Sequence, residues 1–295
     1  MEINRGSFKA GLLDPIFNLT GKTWLKVTGA SVITNLVLGA IGAALFLMVL
    51  GSSDMLMQMI TNPQSIKDNL YLFQSEMFVP SVILTFILFV LIAFVVGAWN
   101  IYFSINITDS QINTGQADFG ELFGKSFNNR VFTLLGVTIL IYLAFIVGVI
   151  ISFLLAYLSG WLTFFAGLFL TIAMFRLTLV IPAMMVGNHS LASALEFSVK
   201  HIDWLRALKL FGIVLLASLA IIVVAIVLGL VGMGLAIIPF VGIVIKFAIN
   251  LVFGGFITAL MISALLALYY HYAEEVAEAA APEVAQADEP SEPQM

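Results

Sequence analysis

"VFTLLGVTILIYLAFIVGVIISFLLAYLSGWLTFFAGLFLTIAMFRLTLVI", residues 131–181, decides the fold. Its only charged residue is Arg176. A run of about 18 apolar residues is long enough to cross the roughly 30 Å hydrocarbon core of a bilayer. Ser159-Gly160 divides this stretch into two such runs, 131–158 and 161–181. A turn that short makes its flanking helices antiparallel neighbours.

The same pattern recurs along the chain. Further spans are predicted at about 24–50, 79–103, 207–235 and 240–270, with Pro239-Phe240 as the turn between the last two. The chain is 61% hydrophobic and 10% charged, where a soluble domain carries about 25% charged residues. The expected class is an all-α integral membrane protein with six transmembrane helices in three hairpins. The short alternating segments of a β-barrel are absent from the sequence. The 295 residues include no cysteine, which excludes disulfides, thiolate metal sites and cysteine nucleophiles.

Charge gives the orientation. Arg5, Lys9, Lys22, Lys26, Lys125, Arg130, Lys200, Arg206 and Lys209 share one side of the predicted topology, and Lys67 stands alone on the other. The positive-inside rule then places both termini in the cytoplasm and 51–78 outside. Residues 273–295 hold seven of the 17 acids and no base. The other ten acids face 12 basic residues, so a polytopic body over 1–272 is mildly basic and the tail acidic. A helix is expected to run to about Ala281, followed by a disordered Pro-rich segment. The tail is either solvated or docks on a basic protein partner or on the body's own basic inner surface.

Moderately polar stretches precede the hairpins: "SFKAGLLDPIF" (7–17), "DFGELFGKSFN" (118–128) and "SLASALEFSVK" (190–200). Asp118 with Glu121 forms a capping box, and Ser190 is a good N-cap. Leu191, Leu195, Ile202 and Leu205 recur near helical spacing beside Lys200 and Arg206. The expectation is an amphipathic interfacial helix before each hairpin, with Arg176, Lys200 and Arg206 as anchors for lipid phosphate or the interface.

Arg176 lies 16 residues into a span that begins at Gly160, or about 24 Å at 1.5 Å per residue. The inner edge of the hydrocarbon is within reach of an extended guanidinium. One reading is an interface arginine holding lipid phosphate or helix-end carbonyls. The other is an arginine facing a polar cavity. Trp99 lies at a similar depth in the second span. Both helices are expected to continue past the membrane before the next amphipathic stretch, with Pro182 bending the fourth.

In the sixth span Lys246, Asn250, Gly254 and Thr258 fall near one helical face. They are either a snorkelling lysine above a packing stripe or, through Lys246, Asn250 and Thr258, the lining of an intramembrane polar pocket. His189, His201 and His271 lie on separate segments and read as surface histidines. No phosphate-binding loop, metal site, cofactor or nucleic-acid partner is expected; membrane lipids are.

Residues 175–216, "FRLTLVIPAMMVGNHSLASALEFSVKHIDWLRALKLFGIVLL", resemble a pattern in a loose group of bacterial membrane proteins. The group comprises the membrane domain joined to some glycerophosphodiester phosphodiesterases and six-span inner-membrane proteins of the YciC type. Arg176, Pro182, Ser190, Ala194, Leu195 and Ser198 carry the similarity. The resemblance implies a six-span fold in a bacterial inner membrane. It implies no phosphodiesterase activity, because the chain has no soluble catalytic domain. The expected function is non-catalytic: a scaffold, a lipid-organising element or a partner subunit. The alternative is a carrier of a small or lipidic substrate that uses the stripe in the sixth span.

Overall fold

The computed structural model describes residues 13–50, 80–157, 159–235 and 241–287. Among these residues there are only helices: α1 (Leu13–Leu50), α2 (Pro80–Thr114), α3 (Phe119–Lys125), α4 (Arg130–Ala156), α5 (Gly160–Phe175), α6 (Val180–Met185), α7 (Leu191–His201), α8 (Trp204–Leu235) and α9 (Val241–Ala287). Six candidate spans are long and apolar enough to cross a membrane; they lie in α1, α2, α4, α5 running on through α6, α8 and α9. The segment 51–78, the turn at Pro239-Phe240 and the side chain of Lys246 lie outside the described residues.

The centre of the molecule is a three-helix unit of α1, α2 and α9. In α9 the membrane window is 39% buried; in α8 it is 0%. The seam between α1 and α9 uses small residues four apart: Gly255, Ala259, Ser263 and Ala267 are all buried. A β-carbon on Gly255 would come within 2.7 Å of the Thr28 Cα, so only glycine permits this approach. Lipid tails are as apolar as leucine, so helices gain by packing backbone against backbone, and small residues allow it. Around this unit α4 packs on α2 and α5, and α8 on α5 and α9.

Two helices differ from the sequence expectation. First, α1 starts 11 residues before the expected span and absorbs Leu13–Phe17 of the first polar stretch. In its described part that stretch is the opening of a transmembrane helix, not a separate interfacial one. Asp14 and Pro15 suit a first turn. Beyond them Thr20 and Thr23 turn their hydroxyls back onto the Ile16 and Leu19 carbonyls, which leaves the helix uninterrupted.

As expected, α2 continues beyond its span, to Thr114. Its polar end is stabilised within the helix, with Ser104 and Thr108 donating to carbonyls four residues back. Second, α9 runs to Ala287 rather than Ala281 and passes through Pro282. The alanine- and glutamate-rich composition has high helix propensity, which outweighs one lost hydrogen bond.

The other two polar stretches are separate short helices. Asp118 caps α3, accepting from the Glu121 N–H at 2.8 Å. The Glu121 side chain does not complete the box; it pairs with Lys125 one turn on. Phe119 and Phe123 of α3 pack against Trp99 and Phe103 of α2 and hold α3 to the bundle. Ser190 caps α7, accepting from the Ser193 N–H at 3.3 Å.

The fourth span breaks as Pro182 dictates. Proline has no N–H for the carbonyl of residue 178 and its ring crowds that carbonyl. The chain leaves α5 at Phe175 and takes tight three-residue turns, such as Thr178 N to Phe175 O at 3.2 Å. It re-forms as α6, where Pro182 sits harmlessly in the first turn.

Candidate functional site

One end of the bundle gathers the polar residues, and α7 is its centre. The last carbonyls of a helix have no partner within it and carry the negative end of the dipole. Two arginines occupy that end of α7. Arg176 donates from Nε to the Ile202 carbonyl at 3.0 Å and from Nη2 to the Val199 carbonyl at 2.9 Å. Its guanidinium lies 4.8 Å above the Trp204 ring. Arg206 donates from Nη1 to the His201 carbonyl at 2.9 Å, covers the Tyr272 ring at 5.2 Å and stands 4.0 Å from Glu275.

Ser198 completes the joint from the buried face of α7. Its hydroxyl donates to the Arg176 carbonyl at 2.6 Å and accepts from the Leu179 N–H at 3.1 Å. The break between α5 and α6 leaves main-chain groups unpaired, and one serine satisfies two of them. Ala194 is buried one turn earlier and lets α7 lie close to the bundle.

The pattern repeats along the same end. Arg130, at the start of α4, donates to the Met185 carbonyl at 3.0 Å and to the Asn188 side-chain oxygen. Asn188 holds a positive φ of 55° after α6, a backbone region asparagine tolerates better than most residues. Lys26 of α1 donates to the Ala117 carbonyl just before α3. Arg130, Arg176, Arg206 and Lys26 each fix a chain end or loop.

A second polar group joins α2 to α9. The Tyr270 hydroxyl donates to Asp109, and the Asn113 amide donates to Asp109 and to the Tyr270 oxygen, both at 2.9 Å. These residues border a cavity of about 460 Å³ that Tyr269 and Glu274 also line. The sequence reading missed the group because it looked for polar clusters inside the spans, and Asp109 and Asn113 lie on the continuation of the helix beyond residue 103. Once α2 is known to continue, Asp109 and Asn113 fall at i and i+4 on one face.

Of the anchors read from sequence, Arg176 and Arg206 come together at the end of α7, while Lys200 is exposed on that helix. Of the intramembrane set, Asn250 and Gly254 face outward and Thr258 is half-buried, bonded to the Gly254 carbonyl at 2.9 Å. The buried stripe is the next one round, beginning at Gly255, about 100° away on the helix. His189 and His201 both lie against Phe197, and His271 against Tyr272. Among the described residues no three His, Asp or Glu side chains are grouped as metal ligands would be.

Fold and site together define a multi-pass helical membrane protein. No family model, no curated protein and no solved structure matches the chain.

Proposed function

We propose that this is a non-catalytic protein of a bacterial inner membrane, a scaffold that organises lipid or seats a partner subunit. Both termini are cytoplasmic. The six spans form three hairpins, and α3 and α7 lie along the cytoplasmic leaflet before the second and third of them.

One observation carries this reading. The residues of the resemblance to the YciC-type group are spent on architecture. Arg176 caps α7, Pro182 breaks the fourth span, Ser190 starts α7, and Ala194 and Ser198 seat it. These residues hold a short helix in place, which supports a structural surface as their role. The acidic tail supplies a further contact, suited to a basic partner.

Native mass spectrometry of the gently extracted protein tests the role. Retained phospholipid or a stoichiometric protein partner is the expected result; a bare monomer that carries neither would sink the proposal. Topology is tested separately. Cysteines introduced at Ser65 and Ser291 should label from opposite sides of intact cells. Labelling of both by an impermeant reagent would overturn it.

A further inference from the structure

The cavity of about 460 Å³ at the polar end is charged with one sign only. Asp109 and Asn113 enter it from α2, four residues apart. Tyr269, Tyr270, Ala273 and Glu274 enter from one face of α9, and Val186 closes it behind α6. None of the described lining residues is basic. Arg130 bonds the Met185 carbonyl next to Val186, but its guanidinium is committed there and to Asn188.

Two groups in this wall have bonding capacity to spare. Glu274 is half-buried, and its carboxylate has no hydrogen bond or ion pair among the described residues. Tyr269 is only 6% exposed, and its hydroxyl likewise bonds to none of them. That hydroxyl is not sealed in: it keeps accessible surface, unlike the Trp99 indole nitrogen. In a residue so buried, the surface that remains is what it shows to the cavity it lines. Its place is fixed beside Gly187, whose missing β-carbon leaves the room it occupies. The Tyr270 ring meets it edge-on at 5.5 Å. Asp109 is near enough for the two to interact electrostatically. Asp109 is itself oriented by the Tyr270 hydroxyl and, at 2.9 Å, the Asn113 amide, both on Oδ1.

Carboxylates accept hydrogen bonds and demand positive charge, and a phenol oxygen also accepts. An occupant that answers all three groups is a cation with several N–H donors. A primary ammonium has three; a quaternary ammonium has none. A bare metal ion fits less well. Among the described residues no three acids or histidines are grouped to hold one. The volume is that of a small-molecule site, roughly 300–1,000 Å³. Val186 and Ala273 leave an apolar margin for a short hydrocarbon. Asp109 lies 29 residues beyond Pro80 in α2, about 44 Å along the helix and past the roughly 30 Å of hydrocarbon. At that level a lipid headgroup and a soluble molecule both have access.

We infer that this cavity binds a primary ammonium group, with Asp109 and Glu274 supplying the charge and the Tyr269 hydroxyl oxygen accepting a further hydrogen bond. The group belongs to an aminophospholipid headgroup or to a small soluble amine, which present the same chemistry. This goes beyond the structural role proposed above and adds a ligand site to it.

The test titrates n-butylammonium chloride calorimetrically into the full chain in nanodiscs of phosphatidylcholine, a lipid without a primary amine. Tetramethylammonium and potassium chloride at equal ionic strength are the controls. Butylammonium should bind saturably and roughly tenfold or more tighter than tetramethylammonium. Glu274→Gln and Tyr269→Phe should each weaken it roughly tenfold, the scale of one hydrogen bond to a charged group. Nanodiscs containing phosphatidylethanolamine assign the source. Loss of butylammonium binding there identifies the headgroup as the occupant; unchanged binding identifies a soluble amine.

The absence of saturable binding in phosphatidylcholine would overturn the proposal. So would equal affinity for tetramethylammonium, or a Glu274→Gln variant that binds as the wild type does. Glu274 makes no bond to a described residue that glutamine would break. If that variant nevertheless fails to fold, the butylammonium-to-tetramethylammonium ratio on the wild type still decides. A chain that fails this test can still retain a protein partner in native mass spectrometry, and one that passes can be a bare monomer there, so the two proposals fail independently.

Discussion

The α1–α9 seam and helix α8 both belong to candidate membrane spans and meet opposite fates. In α9 the residues four apart from Gly255 to Ala267 are small, and α1 lies against them. In α8, "LFGIVLLASLAIIVVAIVLGL" (210–230) carries large aliphatic residues on every side, and no residue of its membrane window is buried. The exposed helix is also the more apolar, with mean hydropathy 3.2 against 2.4 for α9. Within a membrane, small residues let a helix take protein as its neighbour, and large aliphatic ones on every side suit lipid.

The sharpest way to break this contrast is a leucine on each helix. Gly255→Leu must push α1 away at the Thr28 backbone. It should cost about 3 kcal/mol, the upper end for overpacking, in equilibrium unfolding from mixed micelles. Gly229→Leu on α8 meets nothing within 4 Å. It should stay within about 0.5 kcal/mol, as surface changes do. Similar losses at both positions would remove the distinction.

A smaller effect is expected where charge does the joining. Arg176→Leu leaves two α7 carbonyls uncapped and should destabilise by about 2 kcal/mol, the range of hydrogen bonds to charged groups. Arg176→Lys should recover less than half of that. An ammonium is a compact donor and does not match the spread of a guanidinium fork. Full recovery by lysine would mean that charge alone holds α7.

The smallest change is expected at the tail. Truncation after Ala281 removes acidic, proline-containing sequence with no apolar face to bury. It should shift unfolding by less than about 0.5 kcal/mol. A larger loss would add the tail to the packed region and place its acids against the basic end of the bundle.

These contrasts also mark what was legible in the sequence. Six spans follow from hydropathy, because a long apolar run has one physical solution in a bilayer. Asp118, Ser190 and Pro182 were legible because caps and helix breaks are local. The seam was missed by one residue. Lys246, Asn250 and Thr258 drew attention because they are polar, whereas Gly255, Ala259 and Ala267 look featureless until a neighbouring backbone is in view. For Arg176 a helix-end carbonyl was among the partners read from sequence, but which carbonyls was illegible for another reason. They lie 23 and 26 residues away, across the break at Pro182. No periodicity reports a contact between the end of one helix and the end of another.

The α1–α9 seam joins the first helix to the last, with Thr28 and Gly255 about 230 residues apart in the chain. At about 5–20 residues per second of synthesis, α1 waits on the order of 10–45 s for α9 to emerge. During that interval Thr28, buried in the finished protein, has no α9 to cover it. A chain stopped before α9 would leave that hydroxyl without the glycine-lined helix that closes over it.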